Sequence, residues 1–366
     1  MKIFVGTTEI CGWVNLFRDE FKNQGHQCKS FVFERNRFYA NKGYDFVLSD
    51  YFIKRKIGIS VIDRIASLIN KCIRKIVLFF LIKYIGNRYD AILIVWNSFL
   101  PNNKDLEYFK SKGLSIIVLF VGSDIRHFQT FKLKYDVSQW NFPDYWTTAE
   151  VSHYNNYIEN VEKYADLIYS VPDQAGLQKK PYYHLQIPID IENISFKNNK
   201  RKVPKILHLP SEPWKKGTDI IEKALLELQK EGVLFEFISK REMLNSEVLS
   251  LLQDIDILVD EIVFHGPGVL SFEAMASGCV VATRSLVDNP STFQPPVLSI
   301  NASNIKEKLR ALILNYNLQQ ELIIKGREYV EKHNAKSVVV KNMISDLTTK
   351  REFDYFPTFE NKKIPA

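Results

Sequence analysis

The chain alternates short apolar runs with amphipathic stretches along almost its whole length. The apolar runs of the first half are rich in Val, Ile, Leu and Phe, as buried parallel strands are. We assign strands to residues 2–6, 29–33, 91–96, 115–122, 167–171 and 184–189. Amphipathic stretches between them, such as 15–23 and the one that ends at Gly113, are typical of surface helices. This alternation predicts a doubly wound α/β domain.

Residues 196–204 (FKNNKRKVP) interrupt the pattern, because they are polar and basic and lack apolar periodicity. We interpret them as a linker between an N-terminal domain, 1–195, and a C-terminal domain, 205–335. The alternation then restarts, with strands predicted at 205–209, 234–239, 256–260 and 279–283 and helices at 219–231, 247–253 and 271–277. Two α/β domains joined by a linker place a ligand in the cleft outside the carboxyl ends of their strands.

The composition is that of a globular protein, with 46% hydrophobic and 25% charged residues. The N-terminus lacks a signal-peptide pattern, and no run reaches the ~18 apolar residues of a spanning helix, so we expect a cytoplasmic protein. The four cysteines lie in no zinc-type spacing, so we expect reduced thiols and no bound metal. The net charge of +7 suits phosphates or an anionic membrane, and no nucleic-acid motif is present.

The most specific stretch is GPGVLSFEAMASGCVVATRS, residues 266–285. Its glycine-containing loop allows close backbone approach to a ligand, and Ser271 can cap the helix that follows. The N–H groups at that helix start form an anion site suited to a diphosphate, and Glu273 in the first turn can reach a ribose. The candidate donor-binding residues here are Gly268, Val269, Leu270, Ser271 and Glu273. An ordinary loop–helix–strand crossover would explain the same pattern.

This stretch resembles the donor-site sequence of GT-B glycosyltransferases, especially those of family 4, where a glycine loop precedes E-A-M-A-x-G-x-P-V-V-A-T. The resemblance implies that Glu273 is the second Glu of an E-x7-E motif and binds the nucleotide ribose. The first Glu would lie eight residues earlier, where this chain has His265, and Glu261 lies four residues further back. The resemblance implies two Rossmann-like domains facing across a cleft, sugar transfer with retention, and His265 as a catalytic candidate at the donor sugar.

A second stretch, LHLPSEPWKKGTDIIEKALLELQKEG (207–232), resembles the strand, basic loop, K-G and long helix of the same family. The resemblance implies that Lys216 and Gly217 hold the donor diphosphate, assisted by Lys215 and the backbone of Ser211. A flexible ammonium group at a strand-to-helix loop suits a phosphate. The alternative is a pair of solvated surface lysines.

A third stretch, FVGSDIRHF (120–128), resembles the G-S-D-x-R sequence of the N-terminal domain of many such enzymes. Gly122 and Ser123 are expected to face the cleft. Asp124, our second catalytic candidate, and Arg126 are expected either to pair with each other or to touch a substrate. Gly12, after the first strand, is expected to allow approach of an acceptor, although a plain turn explains it equally well.

Residues 51–88 carry nine Lys or Arg and one acid, Asp63, among many Ile, Leu, Val and Phe residues. A basic amphipathic helix of this kind suits an anionic membrane surface. A core helix whose lysines snorkel outward would have the same composition.

Together these features favour a metal-independent hexosyltransferase that moves a sugar from a nucleotide-sugar donor to a glycan or lipid-linked acceptor. We expect a role in surface polysaccharide or glycoconjugate synthesis, a cytoplasmic enzyme peripheral on the inner membrane face, and no cofactor. By the same resemblance, residues 336–366 pack back on the first domain. A nucleotide-sugar epimerase or hydrolase, or a non-catalytic scaffold on the same fold, remains an alternative.

Overall fold

The computed structural model describes residues 1–39, 43–53, 60–138, 140–198, 201–285, 289–349 and 351–357. Residues 54–59 of the predicted membrane region, 199–200 of the linker, and 350 and 358–366 of the C-terminal segment lie outside the described residues.

Seven parallel strands form the first sheet, in the order β3-β2-β1-β4-β5-β6-β7. The strands are β1 (Lys2–Thr7), β2 (Gln27–Val32), β3 (Phe46–Val47), β4 (Ala91–Val95), β5 (Ser115–Leu119), β6 (Leu167–Ser170) and β7 (Tyr183–His184). Every residue of β4 is buried, which is why its sequence is a continuous apolar run without alternation.

Helices cover both faces of this sheet, as the alternation predicts. They are α1 (Trp13–Asn23), α2 (Ser60–Arg88), α3 (Lys104–Ser111), α4 (Phe128–Lys134), α5 (Asp144–Thr147) and α6 (Val151–Tyr164). Ile92 and Ile94 of β4 point into a core with α2, α3 and α6. Leu93 and Val95 point to the opposite core with α1. The two-residue period of the strand therefore supplies both cores.

Five parallel strands form the second sheet, in the order β12-β11-β10-β8-β9. They are β8 (Lys205–His208), β9 (Glu236–Ser239), β10 (Ile257–Val259), β11 (Val280–Thr283) and β12 (Leu298–Ser299). The remaining helices are α7 (Pro213–Lys216), α8 (Thr218–Lys230), α9 (Asn245–Leu252), α10 (Val269–Ser277), α11 (Ile305–Leu314), α12 (Tyr316–His333) and α13 (Lys336–Thr349). Two parallel sheets flanked by helices confirm the α/β fold class.

The chain returns to the first sheet after α12. Val339, Val340 and Met343 of α13 are buried in the same core as α1. Beyond α13, Tyr355 forms an antiparallel bridge with Tyr182, beside β7. The C-terminal residues therefore belong physically to the first sheet.

One predicted strand is mostly wrong. Of residues 184–189 only His184 is in a strand, and the segment then leaves the sheet towards α13. Ile189 instead pairs with Ala335 at the start of α13.

An aromatic strap, residues 128–147 without Gln139, crosses from the first domain to the second. Its side chains contact two loops of the second domain. The ring centroids of Phe131 and Phe264 are 5.6 Å apart, and those of Trp146 and Trp214 are 6.1 Å apart. The strap therefore joins the domains through aromatic packing beside the cleft.

We expect Gly278→Ala to lower the free energy of unfolding by about 3 kcal/mol. Gly278 has φ +95°, and a Cβ there would lie 1.9 Å from the carbonyl oxygen of Lys197 at the start of the linker. Gly113→Ala is the matched control, because Gly113 has φ +80° but nothing near its Cβ position. Urea unfolding should show about 1–2 kcal/mol for the control. Equal losses in both variants would contradict the close contact between linker and helix.

Candidate functional site

A cavity of about 690 Å³ lies between the two sheets, at the carboxyl ends of their strands. Nine of the residues proposed from the sequence line it: Gly122, Ser123, Arg126, Ser211, Lys215, Lys216, His265, Gly268 and Val269. Six do not line it: Gly12, Asp124, Gly217, Leu270, Ser271 and Glu273. The fold therefore brings most of the three motifs together, but it places several of their polar side chains behind the cavity wall.

The N-terminus of α10 forms part of the cavity wall, where Gly268 is the N-cap residue with φ −89° and ψ −172°. Ser271 does not cap the helix as expected, because it is the third helical residue and its hydroxyl donates to Asp260 at 2.6 Å. Glu273 likewise lies in the second turn, not in the first. Since the first N–H groups of a helix lack intrahelical partners, this end presents donors towards the cavity.

Lys216 is less free than the motif implies. Its Nζ donates to Asp260 Oδ1 at 2.7 Å and to Glu261 Oε2 at 3.0 Å, and its side chain is 15% exposed. Burial alone would lower the pKa of Lys216, but the two acids raise it above its ordinary value. Burial raises the pKa of Glu261 despite Lys216, whereas Lys216 outweighs burial and lowers the pKa of Asp260. The ammonium is therefore charged and already held by two carboxylates.

The neighbouring lysine is also paired. Lys215 Nζ donates to Glu212 Oε1 at 2.5 Å, and it lies 5.3 Å from the centre of the Trp214 ring. Gly217, which directly follows Lys216 and is the C-cap residue of α7, is packed too tightly for a side chain. It has φ +73°, and a Cβ there would meet Ile262 at 2.6 Å.

The expected pair of Asp124 and Arg126 does not form. Asp124 accepts hydrogen bonds from the backbone N–H of Gly122 at 2.8 Å and of Val121 at 3.2 Å, so it supports its own loop. Burial raises the pKa of Asp124 to about 7. Arg126 instead donates to Asp173 at 2.9 Å and lies 4.3 Å from the centre of the Phe264 ring.

Glu273 lies behind the cavity, close to the first domain. Its Oε1 accepts a hydrogen bond from Asn245 Nδ2 at 2.9 Å, and burial raises the pKa of Glu273 to about 7. Burial, followed by the charge of Glu273, raises the pKa of Cys11 to about 12, so that thiol lies near the carboxylate. Tyr39 lies there too and packs on Gly12, whose Cβ position is 2.9 Å from the tyrosine ring.

His265 is the catalytic candidate that the second domain contributes. Its ring is buried and lines the cavity, and it stacks on Tyr135 of the aromatic strap at 3.8 Å and 26°. The strap thus forms one side of the site.

Sequence reasoning missed several residues of the cavity wall, among them Trp96, Tyr145, Asp173, His184 and Phe293. Asp173 carried a usable signal, because it lies just after the predicted strand 167–171, and the strand-end rule would have included it. His184 did not, because the predicted strand 184–189 placed it at a strand start, whereas it ends β7.

No group of three or more His, Cys, Asp or Glu among the described residues has a metal-site arrangement. Asp254 and Asp256 form a DxD pair, a pattern that can hold a divalent cation, but both are engaged before β10: Asp254 accepts from Lys205 at 2.6 Å and Asp256 pairs with Arg201 at 3.1 Å. No helix in the described part of the chain is both long and apolar enough to span a bilayer.

No protein-family model matches the sequence, and a search of curated proteins finds no match. Solved structures do match. A sucrose-phosphate synthase from Thermosynechococcus elongatus has TM-score 0.63 at 10% identity, over 96% of this chain and 100% of that chain. WaaG, a glycosyltransferase involved in lipopolysaccharide biosynthesis, has TM-score 0.55 at 14% identity, over 96% and 100%. S. aureus TarM has TM-score 0.51 at 15% identity. The match covers 74% of this chain and only 59% of the TarM chain.

At these identities the likeness establishes the fold. The expected fold class, two Rossmann-like domains facing across a cleft in the GT-B arrangement, is confirmed.

We expect Lys216→Met to destabilise the fold by about 3–5 kcal/mol, because two buried carboxylates lose their cation. Burial then raises their pKa values in the folded state above those of the unfolded chain. The folded variant therefore binds more protons than the unfolded chain. Its loss of stability relative to the wild type should become smaller as the pH falls from about 8 to about 5.

Urea unfolding at both pH values measures this effect. The control is Lys215→Met, which breaks a partly exposed pair and should cost less than about 1 kcal/mol. If Lys216→Met lowers the stability by the same amount at both pH values, the buried ion pairs of Lys216 with Asp260 and Glu261 are contradicted.

Proposed function

We propose that the chain is a glycosyltransferase that transfers a hexose from a nucleotide sugar to a glycan or lipid-linked acceptor. The proposal includes retention of anomeric configuration, no metal in the site, and a role in surface polysaccharide or glycoconjugate synthesis. Support comes from the three motifs, whose cavity-lining residues meet in one cleft. The structures of two similar proteins, TarM and MnaA, contain UDP, and WaaG acts in lipopolysaccharide biosynthesis.

The observation that carries the proposal is the N-terminus of α10 on the cavity wall. Gly268 and Val269 line the cavity, and the space around the Cβ position of Gly268 is open. The free N–H groups and the helix dipole there favour an anion such as a diphosphate. They also stabilise the negative charge that develops on a departing diphosphate.

Lys216 is the second diphosphate partner in this proposal. An ammonium group has three N–H donors, of which two are directed to Asp260 and Glu261. The third remains for a phosphate oxygen. The two carboxylates fix the position of Lys216 and hold it charged, so the protein, and not the ligand, orders the side chain.

Glu273 contacts a ribose only in a different arrangement of the domains. Its carboxylate is buried, and burial first, with the charge of Glu273 in addition, raises the pKa of Cys11 and of Tyr39, both from the first domain. In the proposal, these residues separate from Glu273 when the nucleotide enters. Donor binding through Glu273 is therefore linked to opening of the cleft.

We also propose that α2 holds the enzyme on the inner face of the cytoplasmic membrane. One face of α2 packs on the core through Leu78, Leu81, Ile82 and Ile85. The other face carries an exposed apolar stripe at helical spacing, formed by Ile65, Leu68, Ile69, Ile76, Phe79 and Phe80. Exposed cations accompany it, namely Arg64, Lys71, Arg74, Lys75 and Lys83. This combination suits an anionic lipid surface and brings the cleft to a lipid-linked acceptor.

We expect Gly268→Asp to abolish nucleotide binding and Gly268→Asn to retain it. Position 268 has an ordinary φ and open space, and both Asp and Asn are good N-cap residues, so both variants should fold. Only Asp places a negative charge where the diphosphate is expected. Calorimetry of the wild type with UDP, GDP, ADP, dTDP and CDP identifies the nucleotide, and the same titration compares the variants.

Two results would contradict this assignment. One is equal affinity of both variants, which would move the diphosphate away from α10. The other is a wild type that binds none of the five nucleotides, which would favour the scaffold alternative. If the matching nucleotide sugar is consumed without any acceptor, product analysis decides between transferase and the epimerase or hydrolase alternative.

The membrane proposal predicts that the double variant Phe79→Glu, Phe80→Glu loses vesicle binding. The two rings are 58% and 66% exposed, so their replacement leaves the core unchanged. Affinity for vesicles with about one third phosphatidylglycerol should fall at least about tenfold in co-sedimentation.

The matched control adds the same charge elsewhere, at Leu234→Glu and Leu314→Glu, which are 71% and 70% exposed. It should bind these vesicles as the wild type does, and the wild type should bind pure phosphatidylcholine weakly. Equal losses in both double variants would show a general effect of charge and no role for α2.

A further inference from the structure

His184 ends β7 and lines the same cavity, but none of the three motifs includes it. The imidazole lies parallel to the ring of Phe293 from the second domain, at 4.1 Å between centroids and 4° between planes. It is held between the domains, with Nδ1 2.6 Å from the hydroxyl oxygen of Tyr355. Its orientation is therefore fixed from two sides.

The hydrogen bonds behind the ring determine which nitrogen carries its proton. Asn289 Nδ2 donates to the carbonyl oxygen of Phe293 at 3.0 Å, which directs Asn289 Oδ1 towards Tyr355. The Tyr355 hydroxyl donates to that Oδ1 at 2.9 Å. A phenol has one proton, so Tyr355 must accept from His184. Nδ1 of His184 therefore carries the proton, and Nε2 keeps a lone pair.

The ring stays neutral with this arrangement. Burial lowers the pKa of His184 to about 3, although Asp354 acts in the opposite direction. A base with so low a pKa is a poor proton acceptor near neutral pH, but its Nε2 remains a good hydrogen-bond acceptor. At this position of the cavity, Nε2 of His184 is thus suited to accept a hydrogen bond from a neutral donor.

The position relative to α10 indicates what that donor is. Leu185 and Ile187, which follow His184, pack in one hydrophobic cluster with Val269, the first residue of α10. His184 and the N-terminus of α10, where the proposed diphosphate lies, therefore border the same cavity. The group attached to that diphosphate, or the group that attacks it, is a sugar with many hydroxyls.

We propose that His184 Nε2 accepts a hydrogen bond from a sugar hydroxyl in this cavity and so positions the sugar next to the N-terminus of α10. The inference rests on the proposed glycosyltransferase function and adds a positioning residue to it. Asn289 and Tyr355 act through His184, because they fix the tautomer that leaves Nε2 free to accept. The hydroxyl belongs either to the donor sugar or to the acceptor.

The tautomer is tested by NMR on the whole protein labelled with ¹⁵N-histidine, with His184→Gln used to assign the signal. We expect a neutral ring with the proton on Nδ1, the minor tautomer of free histidine. In Tyr355→Phe the acceptor for that proton is lost, and the signal should change to the Nε2-protonated form. A wild-type ring protonated on Nε2 would overturn the proposal.

The ligand is tested in the same spectra with nucleoside diphosphates, the corresponding nucleotide sugars, and free glucose, mannose and N-acetylglucosamine. A shift of Nε2 with a nucleotide sugar, absent with its nucleoside diphosphate, supports contact with the donor sugar. A shift that appears only with free sugar supports contact with an acceptor. No shift with any of them overturns the proposal.

Two variants separate positioning from structure. His184→Asn keeps a donor near the place of Nδ1 but has no acceptor at the place of Nε2, whereas His184→Gln places an amide oxygen there. If the donor sugar is the ligand, calorimetry should show about 5- to 10-fold weaker nucleotide-sugar binding in His184→Asn, as for one lost hydrogen bond. His184→Gln should recover most of it, and nucleoside diphosphate affinity should not change.

The experiments distinguish failure of the glycosyltransferase proposal from failure of the His184 proposal. If no nucleotide binds the wild type, the glycosyltransferase proposal fails, while the free-sugar spectra still decide the role of His184. If nucleotide sugars bind but Nε2 does not respond to any sugar, only the His184 inference fails.

Discussion

Asp260, at the end of β10, joins the two loops on which the second-domain half of the cavity depends. One carboxylate oxygen accepts from Lys216, which ends α7, and the other accepts from Ser271 in α10. Asp260 is 2% exposed, so both bonds lie in a medium where an unpaired charge is costly. The lysine loop and the helix N-terminus are therefore held in fixed relation before any ligand arrives.

The cavity cations that the motifs predicted are all paired with acids. Arg126 pairs with Asp173, Lys215 with Glu212, and Lys216 with two carboxylates. Because each cation already has an anionic partner, a bound diphosphate gains less from these side chains than from free donors. The uncompensated positive potential of the cleft is then the N-terminus of α10, which is why a single charge at position 268 is the sharpest test of the site.

The fold was largely predictable, because buried parallel strands are continuous apolar runs and the helices between them are amphipathic. The linker at 196–204 stays a prediction, and it rests on the complementary pattern, a polar segment without apolar periodicity. The aromatic strap was not predictable. Its partners, Trp214 and Phe264, are distant in sequence, and nothing local indicates that aromatic residues at 128–147 will pack on another domain.

In the candidate site, too, features set by neighbouring residues were predictable from the sequence, whereas contacts between distant residues were not. Glycine loops and strand ends are local features, and nine of the fifteen residues proposed from them line one cavity. Side-chain partners are not local: Glu273 accepts a hydrogen bond from Asn245, and His265 stacks on Tyr135. The last contact also explains why an imidazole suits position 265. A carboxylate at 265 would lie against the negatively charged face of an aromatic ring, whereas an imidazole stacks on it favourably. The aromatic strap thus influences which side chain fits at position 265 of the cavity wall.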